Sequence, residues 1–237
     1  MNNQLKADCS ECVLETHNLV KTYFNGGVIT PVLKGIDFQV KPGEFVAIMG
    51  RSGAGKSTFL YQLSLLDDST SGKIFVEGYE IHNLSHKQKA NFRLNKFGYV
   101  FQDYALLPDL TAEENVALPL LMQGKSKKVA YQVAREFLSK AGLSHRYQNF
   151  PSQLSGGEQQ RVSIARAVAH NPKVLFADEP TANLDRESSK LILNMFHELN
   201  QKGQTIIMVT HEEEYGKQAK RLVRLDDGLI LSDQPLP

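Results

Sequence analysis

Nine consecutive residues carry chemistry of a definite kind. Gly50-Arg51-Ser52-Gly53-Ala54-Gly55-Lys56-Ser57-Thr58 reads as G-x-x-x-x-G-K-[ST], a loop that cradles phosphate. Gly50, Gly53 and Gly55 let the backbone bend with its N–H groups turned inward and leave no Cβ in the way of an anion. Lys56 suits the β- and γ-phosphates of a nucleotide, and the Ser57 hydroxyl suits Mg²⁺. Three further groups close apolar runs: Gln102 after Phe97-Gly98-Tyr99-Val100-Phe101, Asp178-Glu179 after Lys173 to Ala177, and His211 after Thr205 to Thr210. Asp178 suits a direct or water-mediated Mg²⁺ contact. Glu179, one residue on, can face the γ-phosphate and position or deprotonate a water.

The elements that must hold these groups follow from pattern. Phe45-Val46-Ala47-Ile48-Met49 is continuously apolar, as a parallel strand buried on both faces should be. Lys56 to Leu66 carries Phe59, Leu60, Leu63 and Leu66 at helical spacing, so a helix begins on the loop and lends it a positive end. The three other runs read as strands, and ligands of open α/β sheets bind at such carboxyl ends.

Upstream, Val13 to Val20 is expected as an edge strand, and Val32 to Val40 alternates as a half-exposed one, followed by a Lys41-Pro42-Gly43-Glu44 turn. Lys73 to Gly78 predicts a short strand and turn, and polar Asn83 to Asn95 a helix. Residues from about 104 to 170 read as a helical subdomain inserted into the α/β core. Within it Thr111 and Glu114 form a capping box, Pro119 limits the helix, and Ser126 starts the next one with Val129, Val133 and Phe137 on one face. Ser188 to Gln201 predicts an amphipathic helix on Leu191, Met195 and Leu199. Arg221 to Leu225 and Leu229-Ile230-Leu231 form a hairpin about Asp226-Asp227-Gly228. The expected fold is thus α/β: a phosphate-loop parallel sheet with an antiparallel β subdomain and an inserted helical subdomain, over 13–231, with tails at 1–12 and 232–237.

The 237 residues carry 27 basic and 26 acidic side chains, a balance that argues against a general nucleic-acid binder. No apolar run approaches the roughly 20 residues of a membrane-spanning helix, and the N-terminus lacks an apolar signal core. Cys9 and Cys12 stand as C-x-x-C in a polar tail, expected to be loose, with an intersubunit metal site or a disulfide as alternatives. So few cysteines fit a reducing cytoplasm.

Leu154-Ser155-Gly156-Gly157-Glu158-Gln159-Gln160-Arg161 is a second glycine-led helix start, in the helical block away from the first. One nucleotide does not need two distant phosphate cradles in one chain; a head-to-tail dimer resolves this, each phosphate loop being covered by the other copy's Ser155-Gly156-Gly157.

That stretch, paired with a phosphate loop, resembles the signature of ATP-binding cassette ATPases, and the likeness covers about 13–231. The resemblance implies ATP and Mg²⁺ as ligands. It makes Gln102 the glutamine that senses the metal and couples to a membrane partner, and Leu184-Asp185 the family's D-loop. His211 becomes the switch histidine, and Tyr23, rather than its neighbour Phe24, the ring that stacks on adenine. Ser155, Gly156, Gly157, Glu158 and Asp185 then join the loop in holding nucleotide. Phe101 to Pro108, Glu114 to Pro119 and Thr181 to Asp185 resemble the lipoprotein-releasing and macrolide- or peptide-exporting group. That group implies a homodimer bound to an integral membrane permease at the cytoplasmic face of the cell membrane, with no direct nucleic-acid role. A soluble cassette ATPase acting on nucleic acid or ribosomes usually has two cassettes or a coiled-coil insertion, and many import ATPases add a C-terminal domain; neither pattern is seen here. Arg51, Ala54, Asp68-Ser69 and Glu212 depart from the group's commoner residues without removing a catalytic group.

Overall fold

The computed structural model describes Cys9 and residues 11–81 and 83–237. The expected N-terminal tail lies mostly outside these residues. Its described part is not loose: Cys9 and Cys12 are disulfide-bonded, Cα atoms 5.4 Å apart. The Cys9 N–H donates to the buried Glu15 carboxylate, 3.2 Å.

Two sheets share the work. The first is antiparallel, in the order β2 (Val28–Val40), β1 (Leu14–Asn25), β4 (Ser71–Val76), β5 (Tyr79–Glu80). Thus β1 is central rather than an edge strand, because β4 pairs with its free side; Leu14, Glu15 and Thr16 are all buried, which weakens the alternation in its sequence. The second sheet runs β10 (Leu229–Pro235), β9 (Arg221–Asp226), β3 (Phe45–Met49), β8 (Thr205–Val209), β7 (Val174–Asp178), β6 (Phe97–Val100). All its pairings are parallel except β9 with β10. β10 reaches Pro235, so part of the expected C-terminal tail is strand.

Period-two alternation divides the parallel strands between two cores. Val46, Ile48, Phe176, Ile207 and Val209 pack with α1 (Lys56–Leu63) and the antiparallel sheet. Phe45, Ala47, Leu175, Ile206 and Met208 face the opposite layer, which holds α5 (Gly156–Val168) and α6 (Arg186–Gln201). A third core lies among α3 (Ala112–Met122), α4 (Lys127–Lys140) and α5. The remaining helices are α2 (His86–Lys96), capped by Ser85, and the short α7 (Glu213–Gly216).

Helix starts behave as their caps dictate: Thr111 and Glu114 form the reciprocal box, and the Ser126 hydroxyl accepts from the Val129 N–H. Three expectations are corrected. Pro119 lies inside α3, which continues to Met122, since a proline near the last turn removes only one internal donor. The buried stripe of α4 is Ala130, Ala134 and Leu138, not Val129, which is exposed. On α6 it is Ile192, Leu193 and Phe196, with Leu191 in solvent.

Gly98 on β6 shows how closely α5 sits on the sheet: a Cβ there would collide with the Ala167 carbonyl oxygen. Gly98→Ala is therefore expected to lose about 1–3 kcal/mol of stability, read as a lower urea midpoint. An unchanged midpoint would mean that α5 yields freely.

Candidate active site

The loop between β3 and α1 is shaped by exclusion. An added Cβ at Gly50 would meet the Leu225 carbonyl oxygen, and Gly53 and Gly55 sit at φ +79 and +98, where a side chain is strained. Gly55 is the N-cap of α1 and offers no side-chain oxygen, so no side chain caps the first amides of that helix. The Lys56 ammonium, almost wholly buried, donates to the Arg51 carbonyl at 3.0 Å and arches over the loop. The loop forms one wall of a cavity of about 990 Å³, whose other lining includes Val32, Glu179, His211, Arg224 and Leu231.

Asp178 ends β7 and accepts from the Ser57 hydroxyl, Oγ to Oδ1 3.0 Å. Burial pushes its carboxyl up, while the hydroxyls of Ser57 and Tyr61 pull it down, the net shift being upward. Ser57 and Asp178 together present hard oxygen donors, the set a magnesium ion takes.

Glu179 has φ +43, a left-handed conformation uncommon for a residue with a long side chain. Its N–H donates to the Val209 carbonyl, 3.0 Å, which pins the chain and turns the side chain out of the sheet into the cavity. His211 Nδ1 lies 3.0 Å from Glu179 Oε2. An ionised carboxylate only accepts, so in this pair Nδ1 carries the proton and the ring steadies the acid.

The remaining expected residues are placed differently. Gln102 is exposed in the turn after β6, its carbonyl accepting from Asn183 Nδ2 at 3.3 Å. Tyr23 does not line the cavity: its hydroxyl donates to Asp67 Oδ2, 2.8 Å, and the Lys21 ammonium covers one ring face, 4.6 Å from the centroid. Phe24 is exposed. Ser155 caps α5 and forms a box with Glu158, whose other oxygen takes Arg146 Nε at 2.9 Å. Burial raises the Glu158 carboxyl, yet the Ser155 N–H and Arg146 outweigh it and hold it below the usual range. Asp185 caps α6, accepting from the N–H groups of Glu187 and Ser188. None of Ser155, Gly156, Gly157, Glu158 or Asp185 lines the cavity made by the chain's own loop.

Residues that pattern reading missed join these parts. Gln160, fully buried on α5, donates through Nε2 to the Pro180 carbonyl at 2.7 Å and to the Phe101 carbonyl at 3.4 Å. Asn183 reaches Asp103 Oδ1 as well as Gln102. Gln160 stands within the second glycine-led stretch, but its burial depends on how α5 lies on the sheet, which no local pattern encodes.

A phosphate loop facing a buried aspartate and a glutamate–histidine pair defines a nucleoside triphosphatase of the phosphate-loop class. Residues 33–182 match the family model described as ABC transporter. The lipoprotein-releasing system ATP-binding protein LolD of Aquifex aeolicus is 48% identical over 202 residues, covering 85% of this chain and 90% of that protein. The macrolide export ATP-binding/permease protein MacB of Bdellovibrio bacteriovorus is 45% identical over 224 residues, 94% of this chain but 34% of that protein, so the chain spans about a third of this relative. The ATP-binding cassette MJ0796, solved as a dimer in a post-hydrolysis state bound to ADP and Pi, superposes with a TM-score of 0.88 at 39% identity, covering 94% of this chain and 99% of that one. The chain belongs to the ABC transporter family and is an ATPase domain of it.

Glu179→Gln is expected to retain ATP binding, measured by equilibrium titration, while hydrolysis falls by about 10²–10⁴. Ordinary turnover in that variant would remove Glu179 as the base.

Proposed function

We propose that this chain is the nucleotide-hydrolysing subunit of an exporter of the lipoprotein-releasing or macrolide type, working as a head-to-tail homodimer on a membrane permease. The observation that carries the reading is the separation of the two glycine-led helix starts. The chain's own loop cavity lacks Ser155, Gly156 and Gly157, so this second helix start is left to serve the nucleotide of a second copy. MJ0796 is solved as a dimer, which supports a two-copy assembly, and the names of LolD and MacB support a membrane-transport setting. Among the described residues no helix is long and apolar enough to cross a membrane. The chain then works peripherally, held by its partner at the cytoplasmic face.

In the mechanism, the loop amides and Lys56 bind and orient the triphosphate, the ammonium exchanging the Arg51 carbonyl for phosphate oxygen. Ser57 and Asp178 would hold Mg²⁺, which supplies charge neutralisation when bound. Glu179 orients the attacking water and accepts its proton, and His211 keeps that carboxylate turned to the cavity. Gln102, in a turn tied through Asn183 to the segment after Glu179, reports the state of the site to the permease.

Ser155→Arg fills the cap with bulk and charge and is expected to abolish hydrolysis while single-copy ATP affinity stays unchanged. Loss of the cap itself costs about 1 kcal/mol, so thermal melting separates that effect. Equal loss of ATP binding would mean Ser155 serves its own chain's nucleotide.

A further inference from the structure

Asp178 must keep one oxygen on the Ser57 side of the site, yet the Ser57 hydroxyl alone does not fix a carboxylate. Two phenols surround its remaining approach. Tyr61 lies one turn after Ser57 on α1, and residues four apart share a helix face. Ser57 on that face donates to Asp178, so the Tyr61 ring rises from α1 beside the same carboxylate. Tyr99 comes from the sheet. On β6 it stands opposite Phe176 of β7, and two residues along β7, on the same face, is Asp178. Diagonal neighbours of this kind are within reach of long aromatic side chains.

The rings form a continuous ladder. Tyr61 and Tyr99 centroids are 6.2 Å apart, and Tyr99 lies 4.2 Å from Phe101, the residue before Gln102. The Tyr99 hydroxyl is buried and, among the described residues, has no hydrogen-bond partner, although the strand register sets Asp178 diagonally beside it. A buried unpaired donor costs stability unless something nearby uses it. Here the adjacent acceptor is the carboxylate.

We propose that Tyr61 and Tyr99 are positioning residues for Asp178, two phenol hydroxyls that grip its carboxylate and set the divalent cation affinity of the site. This rests on Asp178 as a cation ligand. Partners that orient a metal ligand commonly alter metal affinity without touching the metal. Because Tyr99 also packs against Phe101, the grip is mechanically continuous with the Gln102 turn.

The test uses the full chain with Tyr61→Phe, Tyr99→Phe and both, each removing one oxygen and keeping the ring. Binding of a non-hydrolysable ATP analogue is measured by calorimetry in EDTA and at stepped Mg²⁺. Each single variant is expected to raise the Mg²⁺ concentration for half the affinity gain about tenfold, with affinity in EDTA and the melting temperature unchanged. An unmoved Mg²⁺ requirement in both variants overturns the proposal, as does an equal loss of affinity in EDTA, which marks a structural role only. If the unaltered chain shows no Mg²⁺-linked gain, the assignment of Asp178 to the cation falls, and the proposal with it.

Discussion

A sheet covered on both faces can present polar side chains only where its strands end, and this constraint locates the whole site. β3, β7 and β8 are buried along their full length, with one row of side chains in each of two cores. Because they run parallel, their carboxyl ends lie along one edge. The phosphate loop, Asp178 with Glu179, and His211 emerge together there although more than 150 residues of sequence separate the first from the last. Hydrophobic burial therefore supplies the convergence, and the polar contacts refine it: Ser57 to Asp178, and Glu179 to His211.

What was legible in the sequence is what local physics determines. The loop is marked by glycines and Lys56-Ser57, the strands by unbroken apolar runs, and the helix starts by Thr111, Ser126 and Ser155 with acceptor and donor at fixed spacing. Helix faces were less legible because size misled. On α4 two of the three buried residues are alanines, which let α3 and α5 approach closely, while the larger Val129 points outward. The role of β1 was hidden for another reason. Its neighbour β4 comes from beyond the phosphate loop, so its central position is a property of topology rather than of its own residues.

The pairing of side chains was the least legible layer. Glu179 and His211 were each identifiable at a strand end, but their 3.0 Å approach depends on the left-handed backbone at Glu179, which its residue type disfavours. The Tyr23 hydroxyl is similarly drawn to Asp67, 44 residues away in sequence. Strain at a functional acid and cross-element polar contacts are where pattern reading is expected to fail, since both are consequences of tertiary packing.

The helix α5 belongs to two bodies at once. Ile164, Ala167 and Val168 lie in the sheet core, whereas Val162, Ala165 and Ala169 lie in the core shared with α3 and α4. Gln160 further stitches it to the strand ends at Phe101 and Pro180. Such a helix acts as an axle. Any swing of α3 and α4 relative to the sheet has to turn about it, flexing at the connections 101–111 and 143–155 while the glycine-led end at Ser155 stays near the pivot. Large excursions at the far tips of the helical block then correspond to small displacements at Ser155, a lever with its short arm beside the strand ends.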